Sequence, residues 1–400
     1  MQIPSKTNWG AVFIALTAGI LAAAHYGKAP SALPGIRAEI PLSLIVGGWI
    51  MSVFSATGSV LSVATGSLTD RIGGRRFCLL GLAALSIGAL IGGVAGSGEW
   101  LLFSRFIEGL GFVSVAVSAP ILIMRASTPA NRQMALGFWT TYMPTGMALS
   151  ILISPYLLSV FSWRTVWFGA SALSLIWIVV ILLTFDKDER VTTDKPEKPP
   201  AFWSNLGRSI KNPGAWILSM CFGCYTIQWI SIMAWLPSFL VQERGIDLKT
   251  VGFLVAAIVA INIPGNLASS LLINRGMARS TTLLIAAIGM GVTVYMIFDQ
   301  TLGDGWRFAA CLGFSCFGGM LPGTVLSSVP VVAPSSSHIG TVNGMIIQGS
   351  HIGQMIGPPM IAAIVTATGN WGDARWLLIA ASLGVASLSI LFRRMEMKLS

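Results

Sequence analysis

The chain has 400 residues, of which 54% are hydrophobic and only 10% charged. Soluble domains carry charge on about a quarter of their residues, so this composition excludes a water-soluble globular protein. The +10 net charge raises nucleic acid as a partner. However, Lys and Arg fall at the ends of apolar runs rather than in one patch, which is the pattern of membrane topology, and no nucleic-acid partner is expected.

Twelve apolar runs are long enough to cross a bilayer, at 9–33, 42–68, 77–96, 100–124, 134–160, 163–185, 215–241, 250–273, 281–298, 306–332, 339–366 and 371–392. The expected fold is therefore an all-α membrane protein of twelve transmembrane helices. An even number puts both termini on one side. Lys and Arg then divide as 17 on that side and 7 on the other, with Arg105 inside a span, while the acids split evenly as 7 and 7 with Glu108 embedded. The basic excess orients both termini to the cytoplasm, as expected in a bacterial inner membrane. No cleavable signal is expected ahead of Trp9.

In chain order, His25 and Lys28 come first, three apart on the outer part of span one. Lys28 either faces a cavity as an anion-binding charge or snorkels to the outer surface. Between spans two and three, Gly66–Arg76 reads GSLTDRIGGRR, a tight basic hairpin with Gly73 and Gly74 at its turn. Span four holds Arg105 and Glu108, three apart. They form either a structural ion pair or a proton acceptor, Glu108, tuned by its neighbour. Span five contributes Tyr142. The charged, Pro-interrupted stretch from Asp186 to Pro213 reads as a cytoplasmic linker, and Phe202, Trp203, Leu206 and Ile210 in it suggest a short interfacial helix.

Tyr225, Gln228 and Trp229 follow in span seven, Asn262 in span eight, and Gln348 and His351 in span eleven. Polar groups at these depths need partners from neighbouring helices or a wet cavity. Gly349, Gly353 and Gly357 form a small-residue ridge for close helix packing. Trp9, Trp100, Trp163, Trp306 and Trp371 stand at span ends as interfacial anchors. The five cysteines lie in or beside apolar segments and are expected to stay free. Cys221-x-x-Cys224 has a metal or redox spacing, but no His or acid stands nearby in sequence, so neither a metal nor a cofactor is expected. His25, His338 and His351 are scattered and no nucleotide-binding loop is present, so the protein is not expected to be an enzyme.

The two halves repeat. Pro30 and Pro237, Gly58 and Gly265, Gly137 and Gly344, and Gly146 and Gly353 are each 207 positions apart. The expected domains are a six-helix bundle over 1–185, a linker over 186–213 and a second bundle over 214–400. The Gly66, Asp70, Arg71 and Arg75 spacing resembles the loop signature of the major facilitator superfamily, with Gly74 where a basic residue is usual. Arg105-Phe-Ile-Glu108-Gly109-Leu110-Gly111 is similar to that superfamily's second signature. Trp235-Leu236-Pro237 with Gly245, and Gly344 through Pro359, resemble the cyanate/nitroimidazole permease branch.

The resemblance implies two pseudo-symmetric bundles, a monomer, and alternating access around a central site. It gives Gly66, Asp70, Arg71 and Arg75 a gating role. Embedded charge of one Lys, one Arg and two His against one Glu favours a small anionic solute. Lys28, His25, Arg105, Tyr142, Tyr225, Gln228, Trp229, Asn262, Gln348 and His351 are the candidate binding residues, and Glu108 is the candidate for proton-coupled symport. The alternative is a proton-antiport exporter of a drug, siderophore or metabolite. The exporter signature's Gly-Pro is missing where Ser150-Ile151 stand, which favours uptake.

Overall fold

The computed structural model describes residues 6–60, 72–186, 210–335 and 338–399, and among these the regular structure is helical. In the first half, α1 is Trp9–Glu39, α2 Leu44–Ser52, α3 Gly74–Gly93 and α4 Gly98–Ala126. They are followed by α5 Pro129–Trp139, α6 Tyr142–Leu158 and α7 Trp163–Thr184. The second half has α8 Pro213–Gln242, α9 Leu248–Ala260, α10 Asn262–Asn274, α11 Arg279–Phe298 and α12 Asp304–Ser327. It ends with α13 Val329–Val332, α14 Ile339–Thr368 and α15 Ala374–Leu399.

Among the described residues nine helical stretches are long and apolar enough to cross a membrane, and Leu44–Val60 is a shorter apolar one. The two remaining spans fall outside that length-and-composition test for physical reasons. The fifth is broken into α5 and α6 at Thr140–Thr141, and α14 carries Gln348, His351 and Gln354 in its middle. Side chains such as Leu183 and Leu383 are exposed along the helix surfaces, as a lipid-facing exterior requires.

Helix ends follow local chemistry. Asn8 caps α1 by accepting from Ala11 N, and Ser97 caps α4 by accepting from Trp100 N. Asp247 does the same for α9, accepting from the Lys249 and Thr250 amides. The first helix runs past its expected end at 33 to Glu39, with Pro30 and Pro34 inside it. Prolines are tolerated within membrane helices because packed neighbours satisfy the carbonyls they leave free.

Packing divides the chain into two compact units, one of residues 1–191 with 234–259 and the other of 192–233 with 260–400. Each shows the sequence repeat in its own packing. In the first, Gly146 of α6 lies against the Ile20 carbonyl of α1. In the second, Gly353 of α14 lies against the Gly223 carbonyl of α8. The second span tightens into a 3-10 turn at Val53–Ser55, and the eighth breaks at Ile261, which is 207 positions after Phe54. Pro264 accounts for the later break, since its missing N–H frees the carbonyl of Ala260, and Pro144 does the same for Thr140 in the fifth span. No proline stands at Val53–Ser55, and the tightening there has no equally simple cause. The glycine ridge of α14 packs on α8, with Gly349 against Ser219 and Gly357 against Ser231.

Trp163 departs from its expected place as an anchor. It is only 3% exposed, and its Nε1 donates to Glu39 Oε2 at 2.8 Å. Arg164 also binds the Glu39 carboxylate and donates to the Ala95 carbonyl, tying the end of α1 to the α3–α4 turn and the start of α7. Trp100 and Trp306 are exposed, as anchors should be.

Of the gating residues, Gly66, Asp70 and Arg71 lie outside the described residues, as does nearly all of the 186–213 linker with its interfacial stretch. Arg75 is described. It follows the turn at Gly73, whose φ of 91° suits glycine, and its Nη2 donates to Leu182 O of α7 at 3.1 Å. Gly74 opens α3 directly against Ile121 of α4.

Candidate functional site: a buried ion cluster in the first unit

Four ionisable side chains that the sequence places on two helices meet in one spot. Lys28 is 1% exposed and Arg105 and Glu108 are 0% exposed. Lys28 Nζ donates to Glu108 Oε1 at 2.5 Å, and Arg105 Nη1 donates to Glu108 Oε2. The carboxylate is thus shared, one oxygen to each cation. Two glycines of α3 make the space. Gly88 lies against Glu108, where a Cβ would come within 2.7 Å of its Cγ, and Gly92 lies against Ser104 and the Trp167 indole.

His25 completes the cluster through a determinate set of donors. An ammonium can only donate, so the 3.2 Å contact of Lys28 Nζ with His25 Nδ1 makes Nδ1 the acceptor. The ring proton is then assigned to Nε2, which donates to Ser174 Oγ at 2.9 Å. Ser174 donates its own O–H to the Ala170 carbonyl at 3.0 Å. In this arrangement His25 is neutral, and its Nδ1 stands 3.6 Å from Glu108 Oε1 without bonding it.

Arg105 is held further by carbonyls. Its Nη1 donates to His25 O at 2.7 Å and its Nε to Ile50 O at 3.2 Å, beside the 3-10 turn of the second span. Both cations also rest on aromatic faces, Arg105 over Phe54 at 4.4 Å and Lys28 over Trp167 at 4.7 Å. Ring faces stabilise cations that water does not reach. Two cations against one carboxylate still leave one positive charge over. Arg105 Nη2 is buried and has no hydrogen-bond partner among the described residues. A charge at this depth costs several kcal/mol unless it is paired or meets a cavity, which makes this cluster the candidate site.

The snorkelling alternative for Lys28 is overturned, because its amine is buried on Glu108. The Arg105–Glu108 pair expected within span four is present, and Lys28 joins it from another helix. The central bond, Lys28 to Glu108, runs between helices. Ser174 and Trp167 were not singled out from sequence. Ser174 is one of two serines in α7, and Trp167 lies one turn inside the helix rather than at its end.

The second unit gathers its own candidates around Ser315. Asn262 Nδ2 donates to Ser315 O at 3.0 Å and Tyr225 OH at 3.3 Å, and Trp229 Nε1 donates to Ser315 Oγ at 3.0 Å. Ser315 stands 207 positions after Glu108, so the repeat carries an acid in one half and a neutral hydroxyl in the other. Gln228 is apart from this group. Its amide donates to Cys224 O and accepts from Ser382 Oγ at 2.7 Å, which satisfies both ends between α8 and α15. His351 is buried in α14, where Gln354 donates to Ser350 Oγ, and Gln348 is half-buried. Tyr142 belongs to the first unit and stacks on Trp139 with ring centroids 4.2 Å apart. No group of three or more metal-ligating side chains occurs among the described residues.

A helical membrane protein with a sequence repeat and a buried ion cluster fits a carrier. The chain belongs to the Major Facilitator Superfamily, whose family model matches residues 8–358. It is 24% identical to the "Probable sulfoacetate transporter" of Cupriavidus necator, over 90% of this chain and 88% of that one. It is 22% identical to the hexuronate transporter of Bacillus subtilis, over 97% and 94%. It is 25% identical to the tetracenomycin C resistance and export protein of Streptomyces glaucescens, over 95% of this chain and 64% of that one. Among solved structures it resembles a bacterial homologue of the human lysosomal transporter Spinster, inward-facing and occupied, with a TM-score of 0.79, 16% identity and 99% of each chain covered. The resemblance to the cyanate/nitroimidazole branch finds no support in these relatives, and the superfamily alone stands.

Proposed function

We propose that this transporter moves a small organic anion by alternating access and couples it to protons through Glu108. The observation that carries this reading is the surplus positive charge on Lys28, Arg105 and Glu108, with Arg105 Nη2 unmatched inside the membrane. An anion at Arg105 brings the cluster to neutrality. It also competes with Glu108 for the same cations, and a carboxylate that loses its partners in a dry site takes up a proton. Relatives named for sulfoacetate and hexuronate, both anions, support the same substrate class. The reading includes a bacterial inner-membrane location, cytoplasmic termini, a monomer, and a division into bundles at the 186–213 linker.

A second reading, export by proton antiport of a drug, siderophore or metabolite, is favoured by the match to the tetracenomycin exporter along 95% of this chain. Accumulation in vesicles loaded from the cytoplasmic face, rather than uptake by cells, separates the two; the anion reading has its own test. The test is counterflow of sulfoacetate and of glucuronate in proteoliposomes, with wild type, Lys28→Ala and Arg105→Ala. Exchange in the wild type that both variants lose, while remaining folded and inserted, is the expected result. Exchange unchanged in both variants removes the anion reading.

A further inference from the structure

We infer that His25 is the second seat of the transported proton, receiving it from Glu108 at Nδ1 once the anion has drawn Lys28 away. This rests on the proton-coupled reading and adds how the proton leaves the carboxyl. Among the described residues, the ionisable side chains that meet the Glu108 carboxylate are Lys28, Arg105 and His25. Ammonium and guanidinium groups have protons to give but no lone pair, so neither accepts the proton of a neutral Glu108. His25 Nδ1 does have one. It is the acceptor nitrogen of the ring and lies 3.6 Å from Glu108 Oε1, a few tenths of an ångström beyond hydrogen-bond reach.

Lys28 covers that nitrogen while the site is empty. Its Nζ donates to His25 Nδ1 at 3.2 Å and to Glu108 Oε1 at 2.5 Å, so one ammonium blocks both ends of the transfer. An anion that takes Lys28 uncovers both together. Glu108 then gains its proton beside the lone pair that receives it next. In the step itself the Glu108 O–H bond breaks and the His25 Nδ1–H bond forms, leaving a carboxylate beside an imidazolium. Net charge is the same before and after, so the transfer adds nothing to the charge held at this depth. When the anion leaves, Lys28 returns to the carboxylate and stands next to the imidazolium. Like charges side by side favour release of the Nδ1 proton to water.

The far side of the ring holds the geometry. Nε2–H donates to Ser174 Oγ at 2.9 Å, a bond open to the neutral and the charged ring alike. Ser174 sends its own O–H to Ala170 O at 3.0 Å, which keeps its oxygen an acceptor towards His25. Both ring nitrogens are thus engaged inside the cluster, and His25 is a proton holder rather than an anion ligand. His25 also lies three residues, about 4.5 Å, nearer the start of α1 than Lys28. With the proposed cytoplasmic N-terminus, the step carries the proton inward.

Two rates in proteoliposomes test this. An internal pH dye reads proton entry with external sulfoacetate or glucuronate, and counterflow of the same anion reads exchange. The ratio of proton entry to exchange is compared in wild type, His25→Gln, Ser174→Ala and Ser174→Thr. It is expected to fall at least about tenfold in His25→Gln, the scale of a lost proton-transfer group. Ser174→Ala should lower it too, and Ser174→Thr, which keeps the hydroxyl, should restore it. That pair decides the matter should His25→Gln fail to fold. An unchanged ratio in folded His25→Gln, or in Ser174→Ala where the first variant does not fold, overturns the inference and leaves coupling through Glu108 intact. Loss of exchange in folded His25→Gln also overturns it, because His25 then binds the anion. Absence of proton entry in the wild type overturns the coupled reading and this inference together.

Discussion

Glu108 is one acid serving two cations, and this ratio makes the three residues unequal. Removing Lys28 leaves Arg105 and Glu108 as a neutral pair. Removing Glu108 leaves two buried cations with no counter-charge, and breaking a buried pair in this way costs about 3–5 kcal/mol. Glu108→Ala is therefore expected to lower the thermal midpoint in detergent well below that of Lys28→Ala. The double variant restores a single positive charge and should recover part of the loss, a non-additivity that only direct coupling produces. Equal midpoints for the two single variants, or a double variant worse than Glu108→Ala, would show that the residues do not share charge. Sequence alone made each of these residues visible, because an ionisable group inside an apolar run is expensive. It showed only part of the pairing. Spacing along one helix suggested Arg105 with Glu108, a pair that is present, whereas the bond joining α1 to α4 depends on how the helices pack. Ser174, which accepts from His25 Nε2, carried no signal because serine is common in these spans.

The helices meet most closely where the repeat puts glycine. A Cβ on Gly146 would run into the Ile20 carbonyl, and one on Gly353 into the Gly223 carbonyl. Gly137 belongs to the same repeat, yet a Cβ there meets nothing within 4 Å. Gly146→Ala and Gly353→Ala are thus each expected to cost about 1–3 kcal/mol by forcing packed helices apart. Gly137→Ala is expected to be neutral or slightly stabilising, since alanine is the better helix former. Thermal unfolding in detergent checks this, and three equal midpoints would contradict the assigned contacts. Apolar length located the spans, and the repeat was visible as matching glycines. The breaks were not located beforehand. Proline marks two of them, at Pro144 and Pro264, but Pro30 and Pro34 sit inside α1 without ending it. The difference lies in how neighbours satisfy the freed carbonyls, which one chain's local sequence does not encode.

At the scale of the whole molecule, the two halves share a helical plan but not a charge plan. The first unit places Glu108 where the second has Ser315, so the buried ion cluster belongs to the first unit, while in the second Asn262 and Trp229 bond Ser315. Composition and topology made the class of protein legible from sequence. The asymmetry between bundles became visible only once side chains had partners. The central claim is that anion binding at this cluster is linked to protonation of Glu108, and proton movement tests it most directly. Proteoliposomes carrying an internal pH dye are given external sulfoacetate with no imposed gradient. The wild type should acidify the lumen as the anion enters. Glu108→Gln should still exchange anion in counterflow but move no protons. Acidification persisting in Glu108→Gln, or anion uptake by the wild type with no change in lumenal pH, would contradict the account.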